Sequence, residues 1–382
     1  MKILHTSDWH LGRAENSLGL YDDQRAFVDE IIDIASRENV DAVIIAGDVY
    51  DRSVAQGEAI KLYSYAMTKL CLTLHKKVIV IAGNHDSSER LADCNRILAE
   101  SGLYIESELE RKPHIVSMGD TDFYLFPYFA IDRVRSLYPE KKDEIKTLTD
   151  ACRVVCDEAR GTFDPAKRHI AIAHAFVTGA VTSKSDRMAE IAAVGTASQI
   201  DVNVFHDFDY VALGHIHGPQ NIGENARYSG TPMAYSFGRE EHQEKSVTII
   251  DTSDMKREVI LLHPLHSRTT IEGTFDEIMD TEYSEEIRTG FTCIKITDKY
   301  IGIENAASIK EKFPLALSIL GKEFESDSGT IKMSIEEFEE LQHDPAAIFK
   351  SFCMDVLDTD PSEHILGLFN ECVHECEEGD TL

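Results

Sequence analysis

The sequence predicts an α/β fold built on a mixed sheet, or on two sheets packed together, with a small α/β domain and a helical tail following it. Three observations lead there. Compact Val/Ile/Leu runs recur along the first half, stretches of helical periodicity separate them, and later strand-like runs follow one another with fewer helices between. Residues 2–6, 41–46 and 77–82 read as strands, because short β-branched runs bounded by Gly or polar residues suit strands buried on both faces. Between them Phe27, Val28, Ile31, Ile32 and Ala35 repeat with helical period, as do Ile60, Tyr63, Met67, Leu70 and Leu74. The order βαβαβ implies an α/β sheet. Residues 114–117, 123–126, 169–173, 209–213, 246–251 and 258–262 are further strand candidates. Residues 1–268 are read as the main domain. Residues 269–333, with strand-like 292–297 and 329–333 around a helical stretch at 306–313, are read as an appended α/β domain. Residues 334–382 read as helices, opened by Pro345 and Pro361, since proline is favoured in a first helical turn.

Composition narrows the function class. With 43% hydrophobic residues in 382, intrinsic disorder is excluded for most of the chain. Asp and Glu number 68 against 38 Lys and Arg, a formal charge of −30. A protein that lives by non-specific phosphate contacts is usually basic, so any nucleic-acid reading must rest on site chemistry. Residues 1–268 carry 41 acidic and 30 basic residues (−11), residues 269–333 carry 13 and 7 (−6), and residues 334–382 carry 14 and 1 (−13). The tail is either a solvated face or a docking segment for a basic partner, with Ile348, Phe349, Phe352, Cys353 and Val356 as its apolar stripe. The eight cysteines include no CxxC pair, and Cys152/Cys156 and Cys372/Cys376 are one helical turn apart, which fits reduced thiols. No secretory pattern opens the chain and no apolar run approaches membrane-spanning length, so a cytoplasmic location is expected.

Five polar islands each follow a predicted strand: Asp8-Trp9-His10, Gly47-Asp48, Gly83-Asn84-His85-Asp86, Ala173-His174 and Gly214-His215-Ile216-His217. In α/β sheets the strand ends gather at the edge where ligands bind. Any one island is an ordinary turn. Together they supply imidazole and carboxylate donors suited to manganese, iron or zinc. The two-residue spacing of Asp8/His10 and His215/His217 places each pair on one face of an extended segment. If Asp48 bridges, then Asp8, His10, Asp48, Asn84, His174, His215 and His217 give four ligands to each of two cations. Such a pair is a standard device for in-line displacement at phosphorus. His85 is the candidate donor to the leaving oxygen, and Asp86 the candidate to orient its ring or keep it protonated.

This series resembles the calcineurin-like metallophosphoesterase signature. The segments MKILHTSDWHLGR, AGDVYDR, IAGNHDSSERL, YVALGHIHGPQ and YSGTPMAYSFG resemble, more narrowly, the SbcD nuclease subunits of bacterial SbcC–SbcD exonucleases over about residues 1–265. The resemblance implies a sandwich of two mixed sheets flanked by helices, a DNA-contacting capping domain at 269–333, and a tail at 334–382 that binds the ATPase. It implies one metal on Asp8, His10, Asp48 and His217, a second on Asp48, Asn84, His174 and His215, and His85 as catalytic histidine. Manganese is the implied cation, with magnesium a weaker substitute. The implied activity is double-strand exonuclease and single-strand or hairpin endonuclease action in DNA repair, recombination and replication, which would put the chain at the nucleoid. ATP would be hydrolysed by SbcC only, in a heterotetramer with two copies of each subunit. A homodimer through early helices follows from the resemblance alone, with Ile60, Tyr63, Met67, Leu70, Leu74, Leu91, Asn95 and Leu98 as its candidate surface. Relatives outside bacteria carry a histidine where this chain has Asp51, so Asp51 is expected to make ordinary hydrogen bonds. The competing readings are a phosphoesterase acting on a small substrate and a silent adaptor. The second sits poorly with a complete ligand set.

Overall fold

The computed structural model describes residues 1–15, 18–183, 185–186, 199–298, 303–321, 350, 361–362 and 365–369. The chain divides into two units, Met1–Gly321 and Lys322–Leu382.

The first unit holds two six-stranded sheets. One is ordered Lys256–Leu261, Ser246–Asp251, Lys2–Thr6, Ala42–Ala46, Lys77–Ile81, Leu103–Glu106; the last four run parallel and the first two are antiparallel additions. The other is ordered Gln220–Ile222, Ala226–Tyr228, Tyr210–Gly214, Arg168–His174, Thr121–Phe126, His114–Met118, with four parallel strands between antiparallel edges. The strand alternation explains how they stack. Ala42, Ile44 and Ala46 join Ile79 and Ile81 against Phe123, Leu125, Ile170, Ile172 and Ala212 of the second sheet, forming the core between the sheets. Val43 and Ile45 point the other way, against Phe27, Val28, Ile31 and Ile32 of the helix Tyr21–Arg37. Burial on both faces is why these strands read as unbroken apolar runs. The second sheet's outer face is covered by the helix Leu148–Arg160, whose buried Cys152 and Cys156 are free thiols.

The helix Gly57–Met67 continues into a π-helical segment, Thr68–Thr73. The stripe read from the sequence is divided there: Met67 and Leu70 are core, while Ile60 is 50% exposed. Leu62 and Ala66 take the inward places instead.

A three-stranded parallel sheet follows, in the order Arg268–Gly273, Phe291–Ile296, Ala316–Gly321, covered by Phe275–Asp280, Glu285–Thr289 and Ile303–Lys312 around its own small core. Its third strand, Ala316–Gly321, was not legible in the sequence. The strand expected at 329–333 lies outside the described residues. Arg268 ties this sheet to the sandwich through two 2.8 Å bonds to Glu15 and one of 2.7 Å to the Ala234 carbonyl.

Of the second unit, residues 365–369 are helical, with the Leu366 amide bonded to the Ser362 carbonyl. The apolar stripe at 348–356, the helix at Pro345 and the Cys372/Cys376 pair lie outside the described residues. Among the described residues no helix is long and apolar enough to cross a membrane.

Candidate metal centre

The five islands leave the ends of five strands, three in the first sheet and two in the second, and they converge where those ends meet. The approach is close at Gly214, where an added Cβ would lie 1.8 Å from the Ala46 carbonyl oxygen, and at Gly83, where it would lie 2.1 Å from Asp48 Oδ1. Glycine is required at both places because a backbone or a ligand occupies the side-chain space.

Trp9 shows how the first island works. Its indole is fully buried among the helix-side core and donates to Thr6 Oγ1 at 3.0 Å, so the flanking Asp8 and His10 turn to the site. The segment is not extended, however. Asp8, His10, Asp48 and His215 all have positive φ, at 53°, 45°, 49° and 101°. Amides of Asp8 and His10 bond to the carbonyls of Gly47 and Asp48, which holds this backbone in place. Non-glycine residues in this region are strained, and such strain concentrates at functional sites. The His215–His217 segment is not extended either, since His215 has positive φ; His217 joins Asp8 and His10, while His215 meets Asn84.

All seven expected ligands come together, and all but the partly buried Asn84 and His215 are deeply buried. Asp8, His10 and His217 form one group and Asp8, Asp48 and His174 another, each with candidate donor atoms within 4.8 Å of one another. His10 Nε2 faces His217 Nε2 at 3.2 Å and Asp48 Oδ2 at 3.7 Å. His174 Nε2 lies 3.4 Å from Asp48 Oδ2 and 3.0 Å from Asn84 Oδ1, which is also 3.0 Å from His215 Nδ1. His174 Nδ1 donates to the Ala46 carbonyl at 2.9 Å, turning Nε2 inward. Asp8 Oδ2 and His10 Nδ1 are buried with no hydrogen-bond partner, a costly arrangement in a dry interior. An oxygen and nitrogen donor set with orphaned atoms fits divalent cations.

Charge is distributed accordingly. Burial raises the Asp8 carboxyl to about 6, helped by the Asp48 charge. Burial drives His215 down to about 3 and His10 below its usual range. His174 goes the other way: burial opposes its charge, but Asp48 and Asp8 beside it raise it to about 9.

His85 sits next to this cage, its ring edge-on to His10 with centroids 4.9 Å apart. Its amide donates to Asp48 Oδ1 at 2.9 Å and its Nδ1 donates to the Asp51 carbonyl at 2.8 Å, which leaves Nε2 for a reacting group. Asp86 is a correction. Its carboxylate accepts the amides of Gly83, Val49 and Tyr50 at 2.9–3.1 Å, so it staples two site loops together and the Asp51 backbone orients the His85 ring instead. Burial pushes Asp86 up to about 6, with the Asp48 charge adding to it. The Asp51 side chain lies 3.7 Å from His10 Nδ1 and 3.6 Å from Arg13.

Sequence reading missed the support behind His217. His217 Nδ1 meets Ser185 Oγ at 2.7 Å, and its amide donates to Asp186. Ser185 in turn donates to Glu240, which also accepts from Ser183, Ser236, the Tyr235 amide and Lys245. Glu240 and Lys245 are an almost fully buried ion pair. Nothing in their spacing marks these residues, because only tertiary folding brings them behind His217. Within the YSGTPMAYSFG block, Ser229 donates to the His5 carbonyl and Tyr235 OH to that of Trp9, and the Tyr235 ring packs edge-on against His10 and His217.

A sandwich of two mixed sheets with a His/Asp/Asn cage at its joined strand ends defines a metallophosphoesterase, and the chain belongs to the calcineurin-like phosphoesterase family, which matches residues 1–219. Within that family its relatives are specific. It is 32% identical to the SbcD component of the SbcCD nuclease of Staphylococcus saprophyticus over 339 residues, 88% of this chain and 89% of that one. It is 28% identical to the SbcD component of the same nuclease in Staphylococcus epidermidis over 362 residues, 94% of each. These matches place it in the SbcD group. Among solved structures, TT1561 of Thermus thermophilus is 12% identical with a TM-score of 0.38, covering 69% of this chain and 99% of that one.

Proposed function

We propose that this chain is a divalent-metal-dependent DNA phosphodiesterase, the nuclease subunit of a complex with an SbcC-type ATPase. The observation that carries the reading is the gathering of seven candidate ligands, five of them deeply buried, with His85 beside them, in a chain similar to SbcD nucleases over nearly its whole length. Asp8, His10, Asp48 and His217 would hold one cation, and Asp48, Asn84, His174 and His215 the other. Manganese would be favoured over magnesium. Bound there, the pair would supply charge neutralisation at the phosphoryl oxygens and acidify water. His85, fixed at Nδ1 by a carbonyl, presents Nε2 to hold or pass a proton at the leaving oxygen. ATP would act only through the partner, which the acidic tail at 334–382 would engage. A homodimer through the early helices, with two copies of each subunit in the assembly, would rest on the resemblance alone: of its candidate surface Met67, Leu70 and Leu91 are buried in the core, and Ile60 is exposed.

The test is metal content together with cleavage of labelled duplex and single-stranded DNA, with and without an SbcC-type ATPase and ATP. Manganese near two per chain, single-strand cleavage by the chain alone and ATP-dependent duplex degradation by the complex are expected. Hydrolysis of small phosphodiesters with DNA left intact would overturn the reading in favour of the small-substrate alternative.

A further inference from the structure

A cavity of about 310 Å³ opens beside the cage and shares Asn84 with it. We propose that it binds the nucleoside attached to the phosphate at the cage, with the base lying on the Tyr128 ring. This rests on reading the chain as a DNA phosphodiesterase.

The cavity is continuous with the site through Asn84, which lines it while its Oδ1 reaches His174 and His215 at 3.0 Å. Tyr128 is 45% exposed, a large aromatic surface open to solvent next to buried ligands, with its ring edge-on to His174 at 6.4 Å. Its amide donates to the Ala82 carbonyl at 2.9 Å, so the second sheet's chain, and with it the Tyr128 backbone, is pinned to the end of a first-sheet strand. Buried Leu109 and the half-buried Phe129 add apolar wall. Arg133 completes the rim, held rigid by Nε donating to the Leu109 carbonyl at 3.0 Å and by Glu108 at 3.3 Å.

These features match one ligand chemistry. A nucleobase has an apolar, polarisable face and a polar edge, as the cavity has an aromatic face and a charged rim. The volume is at the small end of ligand pockets, roughly 300–1,000 Å³, so it accommodates one nucleoside and not a base pair. Stacking is tolerant of base identity because every base presents a π-face. An occupied cavity therefore requires an unpaired nucleotide, whatever its base.

The experiment compares two diesters with one leaving group, thymidine 5′-(p-nitrophenyl phosphate) and methyl p-nitrophenyl phosphate, on the manganese-loaded full chain. Wild type should prefer the thymidine ester. Tyr128→Ala should cut that preference, as the ratio of kcat/KM values, by about tenfold, the effect of removing one aromatic partner from a base. Tyr128→Phe should keep it. If Tyr128→Ala fails to fold, Ala130→Trp, which fills the cavity from an exposed wall residue, should remove the preference in the same way. No preference in wild type, or a preference untouched by both variants, overturns the assignment while cleavage of single-stranded DNA leaves the nuclease reading standing. Single-stranded DNA left uncut by an enzyme that hydrolyses the methyl ester overturns the nuclease reading, and the cavity assignment with it.

Discussion

Replacing Glu240 with alanine should both destabilise the protein and loosen one cation ligand. Glu240 is 1% exposed and Lys245 is 4% exposed, 3.0 Å apart. Removing the carboxylate leaves a buried ammonium with two neutral acceptors, the His217 carbonyl at 3.0 Å and Thr231 Oγ1 at 2.8 Å. Breaking one side of such a pair costs about 3–5 kcal/mol, and at about 2–4 °C per kcal/mol the melting midpoint should fall by roughly 10 °C. Glu240→Leu combined with Lys245→Met should recover only the part due to the stranded ammonium, because leucine still leaves the Tyr235 amide and the Ser183, Ser185 and Ser236 hydroxyls without their acceptor. The double variant should still bind manganese about 10–100-fold more weakly, because Ser185 loses the anchor that fixes the His217 ring. Calorimetry and metal titration read the two effects separately. There is also a pH signature. Burial works against the Glu240 charge, but Lys245 and His217 hold the carboxyl well below its ordinary 4.5. A depressed folded value contributes stability that is complete above the unfolded value and lost as pH falls. The stability gap between wild type and the double variant should therefore narrow below about pH 4.5. A single variant within about 1 kcal/mol of wild type, or a double variant with unchanged metal affinity, would refute the argument.

Three further outcomes follow from the same geometry. His85→Gln should keep folding and metal content while turnover falls about 10²–10⁴-fold; full activity would remove His85 from its role. Asp86→Ala should cost a few kcal/mol, at about 1–3 per stranded amide, and lower activity by releasing two site loops; a denaturation midpoint equal to wild type would contradict the staple. Gly214→Ala should fail to yield a folded, metal-binding protein, because the Ala46 carbonyl cannot leave the inter-sheet contact; circular dichroism and metal content decide it.

Nine of the twelve sandwich strands were legible, the central parallel ones because strands buried on both faces must be apolar throughout, and the helix Tyr21–Arg37 because one stripe of it must face them, whereas the short strands Leu103–Glu106, Gln220–Ile222 and Ala226–Tyr228 were missed. Ala316–Gly321 was not legible, since its exposed and half-buried places blunt the apolar signal. The candidate ligands were legible one by one, as polar residues stranded at the ends of apolar runs, and that much the sequence determined by itself. Their partners were not. That Asp86 ties loops instead of steering His85, that the Asp51 carbonyl holds the His85 ring while its carboxylate lies beside His10 and Arg13, and that a buried Glu240–Lys245 pair stands behind His217 follow from tertiary contact. Hydrogen bonds to backbone atoms, and side-chain contacts between distant segments such as Ser185 and His217, leave no periodicity in the chain. Only folding puts them within 3 Å.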